Sequence, residues 1–276
     1  MPESILGRDA NPGLLLHEWT KNFRGGQVYE LTDDGARRAG SWVERLFPSA
    51  TGSEDFAPQS ETGDDVSSTS RRTCLETFAR RLSVRRYADA PLMRDQLARL
   101  LALCYPRDAG AANASRPAAA ATPNSGLRRG LAPVTSCKLF PLVVNVEGLQ
   151  SDAYIYDEEP RRLRRLRLGN PLPLIEENCF QAEFTHAPVL VLLVGSLAES
   201  LSRYGDRGYR SMLMETGLMI QRLYLAASSL GLAGCVTGSL IQPGFNEWLG
   251  IDGFNGTVLL AFAAGQHPAA AKSENV

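Results

Sequence analysis

Residues 208–232 read Gly-Tyr-Arg-Ser-Met-Leu-Met-Glu-Thr-Gly-Leu-Met-Ile-Gln-Arg-Leu-Tyr-Leu-Ala-Ala-Ser-Ser-Leu-Gly-Leu, and the rest of the chain is arranged around them. Met212, Met219, Ile220, Leu223, Tyr224 and Ala227 recur at helical spacing and predict one long helix. Their side chains cover more of the circumference than a helix with one wet face requires. Two readings follow. The helix is buried inside one core, or it packs in a homodimer interface, because obligate interfaces resemble a core cut in half.

On either side lie runs with strand character. APVLVLLVG (187–195) is continuous and apolar, as a strand buried on both faces should be. TVLLAFAAG (257–265) reads the same way. KLFPLVVNVEG (138–148) is a β-branched run, and DAYIYDEE (152–159) alternates as an exposed strand, so the two predict a hairpin. PLMRDQLARLLALCY (91–105) is an amphipathic helix with Leu92, Leu97, Leu100, Leu101 and Cys104 on one side. Helices around a mixed sheet, without strict βα alternation, predict the α+β class.

The chain has 276 residues, enough for one to two domains. Residues 1–47 form an N-terminal helical extension containing LLLHEWTKNF (14–23) and ELTDDGARRAGSWVERLF (30–47). Residues 48–72, rich in Ser, Thr, Gly, Asp and Pro, lack the apolar content to order themselves and read as a flexible linker. Residues 73–276 then form one domain, interrupted by a low-complexity loop at 108–130. A net charge of -1, with 21% charged residues, excludes a nucleic-acid binder driven by overall charge. No apolar run approaches the length of a membrane span, and the N-terminus lacks a secretory signal pattern, so the expectation is a cytoplasmic protein. Five scattered cysteines and three distant histidines give no disulfide framework and no metal site.

Three local features carry chemistry. Arg80-Arg81-Leu82-Ser83-Val84-Arg85-Arg86-Tyr87 places arginines around a serine, which suits one phosphate or forms a solvated basic turn. Gly231 to Ser239 (GLAGCVTGS) allows close backbone approach to a planar ligand, or simply caps the long helix. Ser202 to Arg210 (SRYGDRGYR) sets Tyr204 beside Arg203, whose fixed charge would favour a tyrosinate acting as proton acceptor; otherwise it is a polar loop feeding the helix. Separately, Arg161-Arg162-Leu163-Arg164-Arg165-Leu166-Arg167 reads as a solvated helix face or as a docking patch for an acidic leader peptide or partner enzyme.

Taken in order, R-x-S-x-R-x-Y, L-F-P before a strand, R-Y-G-D-R-G-Y-R and G-L-x-G-C resemble the nitroreductase superfamily. Within it the chain looks most like the SagB/McbC-type branch of FMN-dependent thiazole/oxazole peptide dehydrogenases. The resemblance covers roughly residues 73–266, and His17-Glu18-Trp19-Thr20-Lys21 extends it towards the N-terminus. It implies a homodimeric nitroreductase-like fold with FMN at the subunit interface. By matching positions, Arg81, Ser83 and Arg85 hold the FMN phosphate. Thr135, Ser136, Cys137 and Lys138 line the flavin, and Gly234, Cys235 and Gly238 bring backbone to the isoalloxazine. The catalytic Lys-Tyr pair of the branch corresponds to Arg203 and Tyr204, so the base falls to Tyr204, because Arg effectively never loses its proton. The implied substrate is a thiazoline or oxazoline in a peptide or carrier-bound chain, with a cyclodehydratase or synthetase as partner. The alternatives are an NAD(P)H-dependent nitro- or quinone reductase and a non-catalytic scaffold subunit.

Overall fold

The computed structural model describes residues 41–48, 50–58, 74–105, 136–158 and 161–268. The expected helix at 14–23, the His17 segment, the loop at 108–130 and Thr135 lie outside them. Seven strands form one sheet in the order β1-β4-β3-β2-β5-β7-β6. They are β1 (Thr51–Asp55), β2 (Cys137–Val143), β3 (Asp152–Asp157), β4 (Arg162–Arg165), β5 (Val189–Gly195), β6 (Leu232–Thr237) and β7 (Thr257–Gln266). Among the described residues all six strand pairings are antiparallel, not mixed as expected, and an isolated bridge of Leu92 with Val146 is parallel. The helices are α1 (Ser41–Leu46), α2 (Cys74–Arg80), α3 (Arg94–Cys104), α4 (Leu172–Asn178), α5 (Leu197–Tyr204), α6 (Gly208–Ser229) and α7 (Gln242–Leu249). The α+β class stands. No described helix is long and apolar enough to cross a membrane.

β5 shows how this sequence makes two cores. Side chains alternate across a strand, so Val189, Val191 and Leu193 enter a cluster with α3 and α6, while Leu190, Leu192 and Val194 enter a second with α1, α4 and α7. A continuous apolar run is what two covered faces demand. β2 and β3 are antiparallel neighbours, as the hairpin reading requires. β3, however, is buried rather than exposed. Tyr154 and Tyr156 pack in the α6 cluster, Ala153 and Ile155 in the other, so its alternation is aromatic against aliphatic and not wet against dry.

Two further expectations change. The arginine run is not a helix face: Arg162–Arg165 is strand β4, between β1 and β3. Period two sends Leu163 into the core and Arg164 the other way, where it meets Asp157 at 2.7 Å and Glu44 at 3.1 Å. Arg165 meets the fully buried Asp152 at 2.6 Å. These charges are spent inside the fold. Second, Thr51–Asp55, within the segment composition marks as linker, pairs with β4, and Phe56 beyond it is buried. Backbone pairing with β4 and the Arg94–Glu54 ion pair order it where apolar content does not. Trp42, Val43 and Phe47 of the N-terminal stretch belong to the second core cluster.

At 22 residues, α6 is about 33 Å long. Met212, Thr216, Met219, Ile220, Leu223, Tyr224 and Ala227 are buried against the sheet. A second stripe stays open, with Leu213 at 42%, Met214 at 58% and Leu218 at 41% exposure.

Candidate functional site

The segment after α2 crosses the C-terminal end of α6 and runs beside β6. The Val84 N–H donates to the Gly234 carbonyl at 3.0 Å, and the Ala88 N–H donates to the Gln266 carbonyl at 3.0 Å. Those bonds hold Arg81 and Ser83 over Tyr224. The Ser83 and Tyr224 hydroxyls share a hydrogen bond of 2.9 Å, and the Val236 N–H donates to the Tyr224 hydroxyl at 3.0 Å. The Arg81 guanidinium lies 5.0 Å from the centre of the Tyr224 ring, which packs edge-on against Phe262 at 5.0 Å. Such a cation–π contact fixes the guanidinium without neutralising it. Leu82, Val84, Tyr224, Ser228, Gly234 and His267 border a cleft of about 70 Å³. Ser83 and Arg85 are exposed. Tyr87, the last residue of the motif, is half-buried, its hydroxyl has no partner among the described residues, and burial holds its phenol well above the usual range.

The glycines of β6 have a packing reason. A Cβ on Gly234 would stand 2.6 Å from the Phe262 ring and 3.3 Å from Ala227, so this glycine lets α6 approach the sheet. Gly231, at φ +69, turns the chain out of α6. Gly238 would place a Cβ 3.3 Å from Leu260. Cys235 alternates to the opposite face, in the cluster with α4 and α7. The β6 backbone that meets the segment after α2 is the Gly234 carbonyl, which accepts from the Val84 N–H.

The second group sits farther along α6. Ser136 is buried, its Oγ has no partner among the described residues, and its carbonyl accepts from the Ser196 N–H at 2.8 Å. Cys137 lies beneath α6 rather than along an open surface. Its thiol shares a hydrogen bond with Thr216 at 3.1 Å, and burial pushes it up to about 12. Lys138, 8% exposed, donates to both carboxylate oxygens of Glu158 at 2.6 Å. Its charge is therefore engaged by Glu158 inside the fold.

The third group is set by a close helix crossing. α5 is capped by Ser196, whose Oγ accepts from the Glu199 N–H, and ends at Tyr204. Gly205, at φ +58, begins a 3₁₀ turn over Gly205–Arg207, and α6 starts at Gly208. A Cβ on Gly208 would stand 2.4 Å from the Ser200 backbone, and the Ser200 hydroxyl donates to the Gly208 carbonyl at 2.6 Å. Tyr204 is half-buried at this crossing, with Arg203 in the same last turn of α5.

The three sequence features thus resolve into two places. Arg81, Ser83 and the β6 backbone meet at one end of α6; Arg203 and Tyr204 stand at the other. Gly208 and Tyr224 are separated by about 24 Å along the helix. Tyr224, which joins the first two features, reads from sequence as one more apolar position. The signal available was its hydroxyl, since a buried tyrosine usually finds a hydrogen-bond partner.

Comparison with known proteins adds family and fold. A model described as the nitroreductase family matches residues 78–266, more than half of the chain. A curated protein of Methanocaldococcus jannaschii, provisionally named a nitroreductase, is 27% identical over 179 residues, 64% of this chain and 83% of that protein. A solved structure from Anabaena variabilis, also provisionally named a nitroreductase, is 27% identical with a TM-score of 0.57; the match covers 70% of this chain and only 37% of that one. A chain of the E. coli microcin synthetase complex McbBCD, solved with truncated pro-MccB17 bound, has a TM-score of 0.54 over 88% of this chain and 99% of its own. At 17% identity, that last likeness speaks for the fold alone.

Proposed function

This chain belongs to the nitroreductase family, and from that premise we propose that it is an FMN-dependent oxidoreductase. In this reading it dehydrogenates a thiazoline or oxazoline ring of a peptide or carrier-bound substrate to the aromatic azole. One observation carries the flavin assignment: Arg81 and Ser83, remote in sequence from Tyr224 and Gly234, converge with them in one corner beside a cleft. Two guanidinium groups and a hydroxyl on one extended segment make a donor set that fits a phosphate dianion. Arg81, Ser83 and Arg85 would hold the phosphate of FMN. When bound, FMN supplies the acceptance of two electrons.

The chain's own residues bind and move a proton. Tyr204, as the phenolate, would take the α-proton of the ring and become the neutral phenol, and Arg203, next to it in sequence, contributes a charge it cannot lose. Arg81 and Ser83 stand about 24 Å along α6 from the Tyr204 end, and in this reading two chains would complete one site. Two α6 helices packed antiparallel through Leu213, Met214 and Leu218 bring Tyr204 of one protomer towards Arg81 and Ser83 of the other. A homodimer is therefore part of the proposal. The choice of azoline over other oxidisable rings rests on the R-Y-G-D-R-G-Y-R segment. The fold likeness to a chain of a peptide-modifying assembly directs the search to peptides and to a cyclodehydratase or synthetase partner.

The Methanocaldococcus jannaschii relative is named a nitroreductase, which favours a second reading for this chain, a nitro- or quinone reductase that would be driven by NAD(P)H. Purification of the full chain, its visible spectrum and identification of any released chromophore test the first step. Absorption near about 370 and 450 nm with FMN released is the expected result. A colourless protein that takes up no FMN refutes both enzyme readings and favours a scaffold. With flavin bound, conversion of an azoline peptide without NAD(P)H supports the dehydrogenase. Oxidation of NAD(P)H by a nitroarene or quinone, with azolines untouched, replaces it with the reductase. Tyr204→Phe should keep the flavin and lose azoline turnover; unchanged turnover removes Tyr204 from the mechanism.

A further inference from the structure

We infer that Tyr224 is a positioning residue that commits the Ser83 hydroxyl to donate outward, making this corner selective for a phosphorylated flavin over its unphosphorylated form. The inference rests on the phosphate assignment above and goes beyond it. A phenol carries one proton, and the Val236 N–H already fills an acceptor position on the Tyr224 oxygen at 3.0 Å. The tyrosine proton then has two places to go: Ser83 Oγ at 2.9 Å, or the Cys235 sulfur at 3.9 Å. A thiol sulfur is a weak acceptor, whereas an aliphatic hydroxyl oxygen is a better acceptor than a phenol oxygen. The shorter bond therefore runs from Tyr224 to Ser83.

This direction has a consequence for Ser83. With its oxygen accepting from Tyr224, its own proton points away from the protein, on an exposed residue. A chain results, from the Val236 N–H through the Tyr224 O–H to the Ser83 O–H, in which each bond polarises the next. Its free end can donate and suits an anionic oxygen. The same ring carries Arg81 at 5.0 Å, so hydroxyl and guanidinium are placed by one side chain. The ring is itself held edge-on by Phe262 at 88°. The groups this chain turns outward are a hydroxyl and a guanidinium, the donors assigned above to the phosphate, so the effect is expected on the phosphorylated flavin.

The test compares FMN with riboflavin, which lacks the phosphate. Affinities of both for the flavin-free full chain are measured by quenching of flavin fluorescence, for the parent protein, Tyr224→Phe, Ser83→Ala and the double variant. The parent should prefer FMN. Tyr224→Phe should weaken FMN about tenfold, the scale of one charge-assisted hydrogen bond, and leave riboflavin within about twofold. Ser83→Ala should do the same, and the double variant should lose no more than either single one, because both break one chain. A Tyr224→Phe protein that keeps the parent's ratio of affinities, or weakens both flavins equally, overturns the inference, as does an additive double variant. Should Tyr224→Phe fail to fold, Ser83→Ala decides: retained preference for FMN overturns it. A parent that binds both flavins equally refutes the phosphate assignment itself, and the inference falls with it.

Discussion

Gly208→Ala puts the crossing of α5 and α6 to the test. The added methyl carbon would stand 2.4 Å from the carbonyl carbon and oxygen of Ser200 and 2.6 Å from the Leu201 nitrogen. All three are backbone atoms, so no rotamer change relieves the contact and one helix must shift. Overpacking of this kind costs about 1–3 kcal/mol. The shift also strains the 2.6 Å bond from the Ser200 hydroxyl to the Gly208 carbonyl, which contributes about 1 kcal/mol. Against this, alanine gains up to about 1 kcal/mol over glycine as a helix former. The balance is a loss of about 2 kcal/mol, or about 4–8 °C in Tm for a chain of this size. Thermal unfolding followed by circular dichroism reads this directly. The same shift moves Tyr204, so the turnover proposed for that residue should fall further than stability alone explains. An unchanged or raised Tm would mean that helix propensity outweighs the contact, and the close crossing would be refuted.

Arg222 donates to the carbonyls of Leu103, Cys104 and Tyr105, where α3 ends, at distances that include 2.9 Å to Leu103 and 3.0 Å to Tyr105. Arg222→Met should lower stability by about 1–3 kcal/mol in urea unfolding; an unchanged midpoint would show that water replaces it without loss. The Asp252 carboxylate is held at about 2, below its ordinary 3.8, first by the Phe254 N–H and then by Asn255. A depressed carboxyl stabilises above its unfolded value and loses that contribution as pH falls through about 2. The stability gap between the parent and Asp252→Asn should therefore hold at neutral pH and close below about pH 4; a gap independent of pH contradicts the turn. Burial pushes the thiols of Cys104 and Cys137 up to about 12. Both should resist a thiol reagent at mildly alkaline pH in the native protein and react on unfolding; rapid native labelling at either site would refute their burial.

The elements most legible in the sequence were those whose pattern has one physical solution. A run such as Val189 to Gly195 needs both faces covered, and β5 lies between β2 and β7 with every residue buried. α6 was equally plain, ending at Ser229 just before Gly231. The arginine run deceived because charge suggests solvent, whereas its placement follows from partners far away: Asp152 and Asp157 on β3, and Glu44 on α1. Lys138 hid its role in the same way, since nothing local announces Glu158. Segment 48–72 is poor in apolar residues, yet Thr51–Asp55 is ordered by backbone pairing with β4, by the Arg94–Glu54 ion pair and by the burial of Phe56. At the site, the motif around Ser83 could be located but its geometry could not, because Tyr224 stands on a helix whose other buried residues are mostly apolar.

The segment from Arg81 to Ala88 also bears on how this sheet avoids other sheets. β6 ends the sheet on one side, and its Gly234 carbonyl and Val236 N–H face outward from the pairing with β7. An open edge of this kind invites a strand from another molecule. Here Val84 caps the carbonyl and the Tyr224 hydroxyl caps the N–H. The opposite edge, β1, carries Glu54 and Asp55 and a register break between Thr51 and Ser53, both of which discourage pairing. The stretch that presents Arg81 and Ser83 is thus also the guard on an aggregation-prone border. Conditions that peel it away would cost solubility as well as ligand binding, and a bound phosphate that pins it down would protect the protein from self-association.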